Sequence, residues 1–553
     1  MLIKNNGEKP DLLTRIMNFL FGKFFKIFNR SFDWVSEKYG KAVHGIVRHW
    51  VLVIFTYVIL LGLTGYLFSI TPSGFIPKQD NDFLQISVQM PDGYSLGQTD
   101  KVMKRMQELL KEIDGIEKFM CVVGLNGATR TKSPDTGALF VKMDPKLERM
   151  RRGQDMLNMM GAISKKLYEE LPEASTFILP PPAVRGIGVG GDFRVQVQDR
   201  VGLGVRAVEK YTNIMAKKAT ESEPILNAFT TFKVSSPQLY VDIDRERAQK
   251  LNVPISAIFE TMQFNLGSIY VNDFNILNRV YRVKAQAEGS LRNDLRDIYN
   301  LKVPNIRGNN VPLGSVAKIN RIIGPSRVSR FNLYPCAEII GALERGHSTG
   351  EAIAEIEKIA SEVLPDGMGI EWTDLAFQEK RMGNTSIYIF ALCVIFVYLM
   401  LVALYEDWKL PLSVILVVPL VLLFAIAAVL ARNLDNNLMT QVGFIVLIGL
   451  ACKNAILIVE FAKIRQEHGE DAASAVSSAS RNRLRPILMT SFAFILGVVP
   501  LAYGVDAGAE LREALGTSVL YGMIGVTFLG LIFTPAFYYA IQRNKKYAVK
   551  DTE

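Results

Sequence analysis

The chain has 553 residues, a formal charge of +9 and a hydrophobic fraction of 49%. Those averages also fit a large soluble protein, but the apolar residues gather in long blocks with Lys and Arg beside them. That distribution points to membrane topology and not to nucleic acid. Cys121, Cys336, Cys393 and Cys452 form no CxxC pair, and His44, His49, His347 and His468 are scattered. The composition therefore offers no disulfide framework, no metal pattern and no cofactor motif.

In chain order, residues 1–50 form a basic segment in which DLLTRIMNFLFGKFFKIFNRSFDWVSEKYG sets Leu, Phe and Ile at helical spacing. It reads as an amphipathic helix on the cytoplasmic membrane surface. The first apolar block follows this basic leader, so it reads as a membrane span over 51–70 and not as a cleavable signal.

Residues 71–385 are a large hydrophilic insert. FLQISVQM, FMCVVG, GALFVKM, FRVQVQ, LYVDID, VYRVKAQ, SRFNLY, EIIGAL and GIEWTDL read as strands. Helical periodicity lies between them at 95–113, 153–171, 201–220, 253–264 and 348–363. Strands alternating with helices predict small α+β units built from β-α-β pieces. Five more spans follow at 386–404, 410–430, 438–462, 486–503 and 515–541, then a tail over 542–553. Ser518 and Gly522 have small-xxx-small spacing, which would let helices approach closely.

Charge sets the expected topology. The leader, the loop carrying Lys463, Arg465, Arg481, Arg483 and Arg485, and the tail carrying Arg543, Lys545, Lys546 and Lys550 are basic, whereas GVDAGAELREA is net acidic. With six spans all basic segments share one side, which makes both termini cytoplasmic and the insert periplasmic in a Gram-negative cell.

Lys453 lies inside the apolar run 438–462, where an ammonium costs at least ~2.5–3.5 kcal/mol to insert. It is read as part of a proton or ion relay; snorkelling to an interface and a structural ion pair are the competing readings. Glu460 lies two turns away, and no span has a carboxylate near its centre. The chain thus holds the cationic part of a relay without an acidic part, as expected of a component of something larger.

KNAILIVEFAK at 453–463 and RLRPILMTS at 483–491, supported by PSGFIP, YVNDF, STGEA and YEDWKLPLSVILVVPL, resemble a known family. The chain is similar to the C-terminal half of a resistance-nodulation-division (RND) transporter, in the hydrophobe/amphiphile efflux branch of AcrB-type inner-membrane pumps. The resemblance implies a polytopic α-helical membrane protein with six transmembrane helices here and six in a missing N-terminal half. It divides the insert into porter subdomains at about 80–200 and 325–373 and a docking subdomain at about 201–324. It also implies a homotrimer, a periplasmic membrane-fusion adaptor, an outer-membrane channel and export of hydrophobic drugs in exchange for protons.

By the same resemblance, Lys453, Arg483 and Thr490 are relay residues facing paired aspartates of the missing half, with Asn454 a neighbour. The family's loop between two drug compartments corresponds to GLNGATRTKSPDTG at 124–137, which lacks the family's phenylalanines and is longer. Phe119, Met120, Leu125, Phe140 and Phe177 fall on or near family pocket positions, or are ordinary core residues. The function implied is half of a proton-driven multidrug pump in the bacterial inner membrane, a secondary transporter and not an enzyme. An inactive fragment of such a pump, a heavy-metal RND exporter and a SecD/SecF-like export accessory are the alternatives.

Overall fold

The computed structural model describes residues 12–545 apart from 185, 189, 345 and 384, without side chains for 12–28. Residues 1–11 of the leader and Lys546 and Lys550 of the tail lie outside the described residues. Six described helices are long and apolar enough to cross a membrane. They are taken in chain order as spans one to six: Trp50–Ile70, Thr385–Tyr405, Leu412–Ala431, Leu438–Glu467, Ala472–Ala502 and Glu510–Gln542.

The spans differ from the expected ones mainly at their ends. The fifth begins well before 486, because the Asp471 side chain accepts from the amides of Ala473 and Ser474 and caps a helix at Ala472. Pro486 and Pro500 are carried inside that helix; packed neighbours make such residues tolerable in a span. Leader and first span are nearly continuous, with helix Leu12–Arg48 bending at His49 into Trp50–Ile70.

The sixth span is the hub of the bundle. A Cβ on Gly516 would lie 2.5 Å from the Ala502 backbone nitrogen of the fifth span, and one on Gly522 would lie 2.2 Å from Leu447 Cδ1 of the fourth. Ser518 fits against Gly443 of the fourth span in the same way. The small-xxx-small pair Ser518 and Gly522 therefore does face a partner helix. Close backbone approach is what stabilises helix pairs where lipid removes the hydrophobic drive.

Three compact units stand outside the spans. In the first, strands Ile116–Leu125, Lys132–Met143, Phe83–Gln89 and Ser175–Leu179 form an antiparallel sheet in that order. Helices Leu96–Lys111 and Met156–Glu170 bury Met103, Met106, Leu110, Met159, Ile163 and Leu167 against its Leu84, Ile86 and Val88. In the second, Ser329–Phe331, Tyr334–Leu343, Phe193–Asp199 and Met368–Trp372 make a sheet, and Ile225–Phe229 pairs with Tyr334–Leu343. The third runs from Ser236–Ile243 to its partner strand Ala317–Gly324.

Two expectations need correction. A boundary at 201 falls inside the second unit, because helix Val205–Thr220 buries Met215, Ala216 and Ala219 against that unit's sheet. SRFNLY is not one strand: Asn332 and Leu333 take positive φ of 50° and 70°, and the chain folds back between Phe331 and Tyr334.

The units are tied to different parts of the bundle. The Gly508 amide, in the loop between the fifth and sixth spans, donates to Asp80 O at 2.8 Å. Beside it, Lys146 Nζ lies 2.5 Å from Glu510 Oε1. Arg149, fully buried, holds Asp80 and Asp82 at 2.7 Å each. The linker after the first span instead pairs with the loop between the third and fourth, through Asn436 N to Pro72 O at 2.8 Å and Leu438 N to Phe75 O at 3.0 Å. The second unit runs through helix Asp374–Met382 directly toward the second span.

Gly516→Ala is expected to destabilise the bundle by ~1–3 kcal/mol, the usual cost of overpacking, because its clash is with backbone. Thermal unfolding in detergent measures this, and an unchanged midpoint contradicts the hub assignment.

Candidate transport site

The residues expected to form a relay come from the fourth and fifth spans. The fourth buries Gly443, Phe444, Leu447, Ile448, Ala451, Cys452, Ala455, Ile458 and Val459. Its other side, at near-helical spacing, exposes Val442, Val446, Gly449, Lys453 and Glu460. Lys453 is thus on the open stripe, and no ion pair to it occurs among the described residues. Glu460 cannot supply one, since seven residues along a helix is ~10 Å.

Asn454, one residue on, is buried and donates from Nδ2 to Ser491 Oγ of the fifth span at 3.1 Å. This bond fixes the height of one helix against the other, so Lys453 and Thr490 flank the same seam. Thr490 is exposed and donates its hydroxyl to Ile487 O at 3.1 Å. Arg483, two turns before Thr490, lays its guanidinium 4.4 Å from the centroid of the Phe461 ring of the fourth span. Its Nε is buried without a hydrogen-bond partner. Of the four residues named for the relay, Asn454 and Arg483 thus build the seam between the two helices, and Lys453 and Thr490 lie exposed beside it. Ser491 and Phe461 complete it and were not singled out from sequence, although both sit inside the quoted motifs.

The residues named for a drug pocket are less united. Met120 lies opposite Phe140, Phe140 opposite Gln85, and Ser87 opposite Phe177. Strand alternation puts Met120, Phe140 and Phe177 on the sheet face away from the helices. Phe119 points to the other face and packs against the helix-side core. Phe177 stacks on Phe229 of the second sheet at 3.8 Å and 12°, so it packs one unit on the other. Met120 is 57% exposed. Leu125 pairs with Lys132 at the mouth of the hairpin. The expected loop 124–137 is mostly strand, and only 126–131 forms the turn.

That turn is packed inward. Gln85 Nε2 donates to Gly127 O at 2.5 Å, and Arg194 of the second sheet donates to Ala128 O at 3.0 Å. Between turn and second sheet lies a cavity of about 480 Å³ with a polar lining that includes Lys132, Asp135, Lys233, Arg327, Arg330 and Glu338. Sequence pattern gave no sign of it, because its walls come from distant segments. Burial pushes the Glu338 carboxyl above the usual carboxylate range, against the pull of Arg194 and Arg327; Asp374 adds to the rise and Gln196 opposes it.

With this geometry in view, comparison decides the family. The model of the AcrB/AcrD/AcrF family matches residues 2–542. The chain belongs to that family. Among similar relatives, the multidrug/solvent efflux pump membrane transporter MepB of Pseudomonas putida is 40% identical over 526 residues, covering 94% of this chain and 49% of that protein. The toluene efflux pump membrane transporter TtgB, also of Pseudomonas putida, gives the same identity and coverage. The multidrug export protein AcrF of Escherichia coli is 34% identical over 529 residues, covering 94% of this chain and 50% of that protein. The chain spans about half the length of these relatives. Family membership agrees with the resemblance carried by KNAILIVEFAK and RLRPILMTS.

A raised carboxylate has a defined pH signature. With a folded pKa above the unfolded one, Glu338 costs nothing while protonated in both states, and its stability contribution is lost as pH rises through the folded pKa. Glu338→Gln should therefore gain thermal stability relative to wild type as pH increases and show the smallest difference in acid. A difference independent of pH contradicts the burial argument.

Proposed function

We propose that this chain is the C-terminal half of a proton-driven RND multidrug efflux pump that exports hydrophobic and amphiphilic compounds by drug/proton antiport. The observation that carries the reading is the open stripe of the fourth span. A cation at mid-span with no acid beside it is unstable against lipid, so the stripe calls for a covering surface that brings carboxylate. An N-terminal half with paired aspartates supplies one, and the half-length match to efflux pumps supports it. The assembled pump is a homotrimer in the bacterial inner membrane, with a periplasmic adaptor and an outer-membrane channel as partners.

In this reading Lys453 favours the ionised aspartates and burial favours the neutral ones. As protons arrive, the ammonium loses its partners and moves, and the bundle shifts between two states. Arg483 and Thr490 act from the facing helix, and Asn454 holds the seam through Ser491. The ties of the first unit to the loop between the fifth and sixth spans, and of the second unit to the second span, would carry that shift outward. On the substrate side, Phe119, Met120, Leu125, Phe140 and Phe177 are the proposed apolar contacts. The shared face of Met120 and Phe140, and the exposure of Met120, favour those two.

Co-expression with an N-terminal half in a pump-deficient strain tests the reading. Lys453→Ala should abolish drug resistance at normal membrane levels, Lys453→Arg should fail too, and Thr490→Ala should be milder. This chain without the other half should give no uncoupler-sensitive dye export. Full resistance in Lys453→Ala, or export by the chain alone, overturns the assignment.

Reporter fusions address topology separately. A fusion after Arg130 should report periplasm and one after Glu470 cytoplasm; reversed signals refute the orientation.

A further inference from the structure

Helix Leu12–Arg48 turns one side of its described part to the bundle. Val43 and Val47 are buried there, Tyr39 donates its hydroxyl to Leu531 O at 2.7 Å, and Gly40 lies against the stem of Arg481. At 3.6 residues per turn the opposite side carries Arg30, Trp34, Lys38, Lys41 and Arg48, all exposed. Trp34 lies in the middle of this stripe, and Lys38 Nζ stands 3.9 Å from the centroid of its ring.

The flanks differ. On the side toward the fifth span are the acids: Glu37 pairs with Arg481 at 3.5 Å, and Asp33 shares a recess with Arg481 and Arg485. On the other side Val35 and Ala42 are exposed and apolar. The circuit around the helix is thus protein face, apolar flank, cationic stripe centred on Trp34, and acids neutralised by arginines of the fifth span. An apolar flank beside aromatic and cationic residues is the order met on passing from acyl chains through the headgroup layer.

We propose that Arg30, Lys38, Lys41 and Arg48, with Trp34 at their centre, form a binding surface for the headgroups of anionic phospholipids. Charge complementarity selects the occupant: four cations share the stripe, and Glu37, the acid that borders it, is paired with Arg481, at the level where the fifth span also carries Arg485. A zwitterionic headgroup brings its own cation and gains little there. The lipid would hold the outer side of a helix whose protein contacts are on one side only. This proposal rests on the span assignment and not on the transport reading.

Fluorescence quenching tests it on the full chain in mixed micelles. Brominated phosphatidylglycerol and brominated phosphatidylcholine are compared at equal mole fraction. The trace of Trp34→Phe is subtracted, because Trp50, Trp372 and Trp408 also fluoresce. The phosphatidylglycerol should quench Trp34 at a several-fold lower mole fraction, and the advantage should shrink in ~0.5 M salt. Lys38→Gln with Lys41→Gln should weaken it by about five-fold per charge removed. Equal quenching by the two lipids overturns the headgroup assignment, and quenching by neither places the stripe away from lipid and overturns the surface itself. The wild-type comparison decides the matter even if the double variant fails to fold.

Discussion

Backbone contact along the sixth span sets the shape of the membrane part. Glycine at 516 and 522 leaves room for Ala502 of the fifth span and Leu447 of the fourth. Lipid tails are as apolar as leucine, so helices in a bilayer are stabilised against each other by packing. The third, fourth and sixth spans are accordingly more than half buried over their apolar cores, and the first, second and fifth are mostly open. Once the fourth span gives its Gly443 and Leu447 side to the sixth, its opposite side faces outward. Lys453 is on that side because it sits off the face of Gly443, Leu447 and Ala451.

The seam between the fourth and fifth spans is held differently, by polar atoms. An amide–hydroxyl bond such as Asn454 to Ser491 is modest in energy but specific in register. Arg483 adds a cation lying over the Phe461 ring, an arrangement strengthened where water is scarce. Shape thus fixes the buried side of the fourth span, and directional bonds fix its height against the fifth.

Outside the bundle, buried charge does the joining. Arg149 is wholly enclosed and meets two carboxylates and two backbone carbonyls. A guanidinium so buried is tolerable only when its donors are met. Asp80 is shared between Arg149 and, through its carbonyl, the Gly508 amide, so the first unit and the loop before the sixth span meet at one residue. The second unit has no part in this tie and reaches the membrane by helix Asp374–Met382. The polar cavity lies between these two units.

Much of this was legible in the sequence. A span needs about 20 apolar residues whatever surrounds it, so the six apolar runs could be located from composition alone. Helical and strand periodicities are equally local, and most elements of the insert fall where those periods predict. Lys453 stood out because a charge in an apolar run is costly wherever it points. The sequence did not reveal which way it points, since that follows from which helix face the glycines of the sixth span claim. Nor did it group helix Val205–Thr220 and strand Ile225–Phe229 with the second sheet, or separate Phe119 from Met120 and Phe140. Those outcomes depend on pairings between distant strands, such as Phe193–Asp199 with Met368–Trp372. A local period records that a residue has a buried side; only the tertiary fold decides what covers it.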